Sequence, residues 1–305
     1  MKKDILTLWD LSRKDIRSLF ALAAEMKDRE KHGIVSTSLA GRVLGMLFDK
    51  HSTRTRVSFE AAMNKLGGSV IYMSAGDTQI ARNEPVQDTA RVLSGYLDAL
   101  VIRTYSQQLI EEYARYASIP VINALSDLYH PCQVLSDLQT IVEYKGGLDG
   151  LRIVWVGDGN NVANSWINAA AILGLDLVLA CPEGYQPEAG ILDRAQKEGA
   201  EKLTVIPDPR EAVSGADVIY TDVWASMGQE KEQEKRRNAF LPFQVNDDLV
   251  AAADPEVLVM HCLPAHRGEE ITEPVLEGPR SVVWTQAENK MHMHKALLQT
   301  LISAT

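Results

Sequence analysis

Val43-Leu44-Gly45-Met46-Leu47-Phe48-Asp49-Lys50-His51-Ser52-Thr53-Arg54-Thr55-Arg56 runs from an apolar stretch straight into a cluster of hydroxyls and guanidiniums. The apolar part has the length and bulk of a buried strand. The next ten residues, 57–66, carry apolar positions at helical spacing, and Gly67-Gly68 ends them. Strand, turn and helix in that order are the repeating unit of a parallel α/β sheet. The same reading places Ser52, Thr53, Arg54 and Thr55 at a helix N-terminus. Free N–H groups and the positive end of the dipole attract an anion there. Arginine adds a planar fork that fits a phosphate or a carboxylate. Arg54 and Arg56 at a helix start oppose the dipole, and a bound dianion resolves that conflict. Without one, the segment is a capped helix with a solvated basic first turn.

The alternation continues on both sides. Asp10-Leu11-Ser12 caps a helix with an apolar face at Ile16, Leu19, Phe20, Ala23 and Met26. Strands are predicted over 69–73, 99–102 and 120–123, and helices over 88–96, 109–116 and 135–144. Arg54, Arg103 and His130 each follow a predicted strand, at the sheet edge where such folds bind ligands. Gly146-Gly147 marks a domain boundary. A second alternation follows, with strands over 151–156, 175–180, 205–206, 218–220, 257–260 and 281–284, and a helix over 163–173. A closing helix is predicted over 291–302. The expected domains are 1–147, 148–290 and a C-terminal helix, 291–305, packing back on the first.

The 305 residues carry a net charge of −10, with 46% hydrophobic and 24% charged residues, the profile of a globular chain. The acidic balance argues against general nucleic-acid binding. Any anion site must be a local cationic pocket. Cys132, Cys181 and Cys262 fit neither a zinc site nor a disulfide framework, which points to a reducing compartment. The N-terminus lacks the apolar region of a signal peptide, and no stretch approaches a membrane span. The expectation is a cytoplasmic protein without a metal or cofactor.

Gly157-Asp158-Gly159-Asn160-Asn161 is a loose likeness of a dinucleotide fingerprint. It lacks the third glycine, and no acidic residue closes the next strand. Asn160 and Asn161 are better suited to polar contact with a small ligand. The mixed-charge segment 229–237 reads as a solvated helical face that could move with the loop before it.

Three further segments carry chemistry. His130-Pro131-Cys132-Gln133 pairs a donor for a carbonyl with an amide that can hold another amide. His261-Cys262-Leu263-Pro264-Ala265-His266-Arg267 places a thiol at a strand end, as a packing residue or an acid–base group. The sharp turn it implies makes Leu263-Pro264 a candidate cis bond. Asp222-Val223-Trp224-Ala225-Ser226-Met227-Gly228 offers a carboxylate and a hydroxyl in a glycine-containing loop. Together they suit the ammonium and carboxylate of an amino acid.

With Ser52-Thr53-Arg54-Thr55-Arg56, Asp77-Thr78-Gln79 and Arg103-Thr104, these segments resemble the aspartate/ornithine carbamoyltransferase superfamily along nearly the whole chain. Ser226-Met227-Gly228 and the Cys262 of His-Cys-Leu-Pro resemble the ornithine branch. The resemblance implies two parallel-sheet domains with the active site in the cleft between them. It implies that Ser52, Thr53, Arg54 and Thr55 cradle carbamoyl phosphate. Arg103, His130 and Gln133 would hold its phosphate, carbonyl and amide. Gln79 would act across a subunit interface. Cys262 and Leu263 would orient the carbamoyl amide through their carbonyls, and Asn161, Asp222, Ser226 and Met227 would clamp ornithine. Arg103, His130, Cys262 and Asp222 form the implied catalytic set. Lys290 stands where the family usually has arginine at the carbamoyl phosphate site, and Asn83 where some relatives have lysine, with Arg82 beside it.

The activity implied is carbamoyl transfer from carbamoyl phosphate to the side-chain amine of ornithine, within arginine metabolism, by a homotrimer or an assembly of trimers. Neither nucleic acid nor membrane would be a partner. Alternatives are another amine acceptor (putrescine or acetylornithine) or a non-catalytic homologue that binds the same ligands. A dinucleotide-dependent oxidoreductase rests on the βα pattern alone.

Overall fold

The structure, a computed structural model, describes residues 3–74, 84–225 and 232–303. Two parallel sheets flanked by helices make up the chain. The first run of elements is α1 (Arg13–Lys31), β1 (Val43–Phe48), α2 (Thr53–Lys65), β2 (Ser69–Ser74), α3 (Val86–Ser94), β3 (Ala99–Arg103), α4 (Gln107–Tyr116), β4 (Val121–Leu125) and α5 (Pro131–Lys145). The second is β5 (Arg152–Val156), α6 (Asn161–Leu173), β6 (Asp176–Ala180), α7 (Ala189–Lys197), β7 (Leu203–Val205), α8 (Pro209–Ala212) and β8 (Val218–Thr221). It ends with α9 (Gln233–Phe240), α10 (Asp247–Ala251), β9 (Leu258–His261), α11 (Glu273–Leu276) and α12 (Val283–Ile302).

The chain divides into two compact units, Met1–Gln139 with Glu288–Thr305, and Thr140–Ala287. The division falls inside α5 and inside α12. Both helices run through it unbroken, so no turn residue marks it in the sequence.

In the first unit the strand order is β2-β1-β3-β4. β3 and β4 are buried throughout, and β1 from Leu44 on, whereas the edge strand β2 is partly exposed. Leu47, Leu100, Ile102, Ile110, Tyr113 and Val121 form a core around this sheet. Helix α1 starts at a reciprocal cap. Ser12 Oγ accepts the Asp15 N–H at 3.1 Å, and Asp15 accepts the Ser12 N–H at 3.0 Å. Its buried face holds the five expected apolar residues and also Lys27. Glu30 on α1 receives Lys295 of α12 at 2.9 Å and is also bonded to Lys65 of α2.

In the second unit the order is β7-β6-β5-β8-β9. Trp155 stacks on Tyr220 at 5.2 Å, and Trp166 meets the same ring edge-on at 5.6 Å. Val154, Val178, Ile219, Leu249, Val259 and Ile271 belong to the core. Residues 281–284 are not a strand. Only Ser281 bridges Val259, and α12 already begins at Val283. β7 lies two residues earlier than expected, at Leu203–Val205. None of the described helices is long and apolar enough to cross a membrane.

Candidate active site

Ser52 sits in extended backbone before α2, and its Oγ accepts the Thr55 N–H at 3.2 Å. That cap uses one first-turn donor. The N–H groups of Thr53 and Arg54 stand in the same turn, ahead of any intrahelical acceptor. Thr55 is buried and Arg54 half-buried. Arg56 is exposed and turns elsewhere, with its guanidinium 3.8 Å over the Tyr72 ring and its Nε 3.7 Å from Glu60. Of the motif's two arginines, Arg56 is thus engaged with β2 and with its own helix.

Phe48 at the end of β1 pairs with Arg103 at the end of β3, so the β1–α2 turn and Arg103 stand on adjacent strand ends. The β3–β4 register slips there. Ile102 faces Asn123, but Arg103 faces Leu125. Such an irregularity re-aims the side chain that carries it.

The loop after β4 is fixed by buried hydrogen bonds. Ser126 Oγ donates to Gln107 Oε1 at 2.7 Å and accepts the Tyr129 N–H at 3.1 Å. His130 follows, buried. Burial, reinforced by the nearby cations of Lys290 and Arg103 and by His294, pushes its pKa well below 6.5. It is therefore a neutral imidazole at neutral pH, able to donate to a carbonyl without carrying charge. Pro131 opens α5, where its missing N–H costs nothing. Gln133 lies in the first turn. Its Nε2 donates to Asp137 Oδ1 at 2.8 Å, and its Oε1 accepts from Lys290 Nζ at 2.7 Å. Lys290 thereby joins Arg103, His130 and Gln133 within the first unit. Cys132 is a packing residue. It is fully buried, and burial pushes its thiol up to about 12 despite Lys290.

The second unit builds a carboxylate site at the ends of β8 and β9. Asp222 is buried and accepts three hydrogen bonds, from Asn160 Nδ2 at 2.8 Å, the Val223 N–H at 2.8 Å and the Cys262 thiol at 2.9 Å. Asn160 also caps α6, accepting the N–H groups of Val162 and Ala163 at 2.9 and 3.2 Å. Asn160 is thus a holder of Asp222, and half-buried Asn161 opens the helix beside it.

His261 fixes the next turn. Its Nδ1 accepts the Leu263 N–H at 2.8 Å, so its Nε2 carries the proton and donates to Glu270 at 3.0 Å. Leu263 is the one non-glycine residue with positive φ among the described residues (φ +57°), and the Leu263-Pro264 bond is cis.

The Gly157 turn packs against the loop at Pro187. A Cβ on Gly159 would lie 2.2 Å from the Pro187 nitrogen, so this glycine serves backbone packing. Asp158 is buried against Arg236 at 3.1 Å, and Arg236 also donates to the Trp224 carbonyl at 2.8 Å. Burial raises Asp158 to about 6, although Arg236 opposes the rise. The mixed-charge helix α9 is therefore not wholly a solvated face.

The ligand atoms of Asp222, His261 and Cys262 approach one another closely enough for a metal, as do those of His266, Glu269 and Glu270. The first set is committed to the hydrogen bonds just described. In the second, Glu270 already accepts from His261 and from the His266 N–H. Gln79, Arg82, Asn83, Ser226 and Met227 lie outside the described residues.

Comparison with known proteins bears directly on these two half-sites. Residues 3–143 match the carbamoyl-P binding domain of aspartate/ornithine carbamoyltransferases, and residues 149–301 match their Asp/Orn binding domain. The chain belongs to the aspartate/ornithine carbamoyltransferase family. A protein named ornithine carbamoyltransferase from Syntrophus aciditrophicus is 57% identical, covering 99% of this chain and all of that one. One of the same name from Desulfotalea psychrophila is 56% identical over the same shares. Among solved structures, the ornithine carbamoyltransferase from Pyrococcus furiosus has a TM-score of 0.95 at 50% identity, covering 99% of this chain and 97% of that one. Within the family's two-domain plan, Ser52–Thr55, Arg103, His130 and Gln133 fall in the carbamoyl-P binding domain, and Asp222, Cys262 and Lys290 in the stretch matched by the Asp/Orn binding domain.

Proposed function

We propose that this chain transfers the carbamoyl group of carbamoyl phosphate to the side-chain amine of L-ornithine, giving L-citrulline and phosphate. The choice of amine rests on the buried Asp222 carboxylate, bonded to the Cys262 thiol and to Asn160. An acceptor that brings ammonium groups meets a negative partner there. Aspartate, with a second carboxylate, would need a cation at the same position.

In this reading the α2 N-terminus with Ser52, Thr53, Arg54 and Thr55 takes the phosphate, and Lys290 adds positive charge. Arg103 and the neutral His130 donate to the carbamoyl oxygen, on which charge grows as the amine attacks. Gln133 holds the carbamoyl amide, with the Cys262 and Leu263 carbonyls. Asp222 and Asn161 hold ornithine, joined by Ser226 and Met227. The amine must arrive neutral, although its ordinary pKa is about 10.4. A desolvated, partly cationic site favours the neutral form. Attack then requires no covalent enzyme intermediate, and positioning supplies most of the acceleration. Transfer requires the two half-sites to present their substrates to each other.

We further propose a homotrimer to which Gln79 contributes across an interface, acting in the cytoplasm in arginine metabolism. Exposed Ile71 on the edge strand β2, with exposed Val57 on α2, Val92 on α3 and Tyr96 after it, supports association of copies. The deciding experiment is a colorimetric citrulline assay with carbamoyl phosphate and a panel of ornithine, putrescine, acetylornithine and aspartate. Turnover with ornithine alone is expected. Preferred turnover of another amine, or binding without phosphate release, would overturn this reading.

A further inference from the structure

The Gln133 side chain is gripped at both ends by groups that can each form only one kind of hydrogen bond. Lys290 Nζ is a donor and never an acceptor, and it lies 2.7 Å from Gln133 Oε1. The Asp137 carboxylate only accepts, and it lies 2.8 Å from Gln133 Nε2. All three side chains are buried. Turning the amide over would set two donors face to face at Lys290 and two acceptors face to face at Asp137. Away from water, that mismatch is costly. The amide orientation follows from chemistry and not from a choice of rotamer.

We propose that Lys290 and Asp137 are positioning residues that lock the Gln133 carbonyl toward the ligand and so select a carbamoyl group over an acyl group. This rests on the reading of the chain as a carbamoyltransferase. Lys290 uses one lone pair of Oε1, and the second is open to an N–H donor. The carbamoyl amide supplies that donor. An acetyl group places a methyl at the same position and leaves a buried acceptor unsatisfied. Sites built to bond a substrate N–H reject analogues lacking it far more strongly than apolar pockets reject a missing methylene. The substitution of lysine for the family's usual arginine preserves this device, because both side chains only donate.

Acetyl phosphate isolates the effect. It shares the phosphate with carbamoyl phosphate and differs at the amide, so loss of a phosphate contact weakens both alike. The measurement is the KM for carbamoyl phosphate in citrulline formation, set against the inhibition constant of acetyl phosphate. Lys290→Gln and Asp137→Asn each replace a one-way group by an amide that can donate or accept. Discrimination is expected to fall about tenfold or more in each, beyond the weakening common to both ligands that loss of the Lys290 charge brings. Lys290→Arg should keep it within about threefold. An unchanged ratio in folded Lys290→Gln and Asp137→Asn overturns the proposal, even where both ligands weaken. Lys290→Arg tests it alone if the other variants do not fold, since collapse of discrimination there also overturns it. Wild-type protein that forms no citrulline fails the underlying reading instead, which is a separate result.

Discussion

Two helix N-termini in this chain follow parallel strands and serve opposite ends. At α2, Ser52 consumes one N–H, and Arg54 stands in the same turn. At α6, Asn160 consumes two N–H groups and turns its amide to Asp222. The first terminus leaves the Thr53 and Arg54 N–H groups outside the Ser52 cap. The second spends two on Asn160, which in turn holds Asp222. A helix start following a strand is therefore not in itself an anion site. The spare bonding capacity of the cap decides.

The contrast can be broken at several points. Arg54→Ala or Arg103→Ala should cut kcat/KM for carbamoyl phosphate by about 10³, the scale of losing a donor to developing charge. A loss under tenfold in steady-state kinetics would remove that side chain from the anion site. In the second unit, Arg236→Met strands buried Asp158 and should cost about 3 kcal/mol of stability in urea unfolding. Unchanged unfolding would make that ion pair idle. Asp222→Asn should lower kcat/KM for ornithine about 10²-fold and leave the carbamoyl phosphate KM in place. A shift in both constants would show that the half-sites are not separable.

Acid should act on the two units with opposite sign. His130 and His294 stay neutral in the folded first unit because burial depresses them, with the Lys290 charge adding to it. Below about pH 6.5 the unfolded chain takes up protons that the fold refuses, so stability falls. Asp158 titrates near 6 when folded and near 3.8 otherwise. Between those values the fold holds the extra proton, so this group adds stability as pH drops. Urea unfolding at pH 7 and 5.5 should show a shallower acid loss in His294→Phe and a steeper one in Asp158→Asn. Identical slopes in both variants would refute the assignment. Smallest is Asn160→Ala, expected to cost about 1 kcal/mol as a lost cap and to raise the ornithine KM. If the KM holds, Asn160 is only a cap.

Where hydropathy and structure shared a cause, the sequence was legible. The α1 face followed from apolar spacing and from the cap at Ser12, and the strand-end positions of Arg103 and His130 followed from the βα rhythm. The start of α12 was hidden because its buried residues include Gln286, Asn289, Lys290, His292, His294 and Lys295. A hydropathy pattern sees those as surface, while Val282-Val283 reads as strand. Arg56 misled for a geometric reason, since residues two apart on a helix face different ways. The pairing of Arg236 with Asp158, and the grip of Asn160 on Asp222, join segments distant in sequence, and composition carries no trace of them.

Because the first unit draws on residues 288–305, it is discontinuous along the chain. During synthesis its sheet emerges early, but Lys290 and Lys295 emerge only after the whole second unit. Vectorial folding can thus complete the second unit before the first, and a chain stalled before residue 288 would leave Gln133 without Lys290 and Glu30 with Lys65 alone.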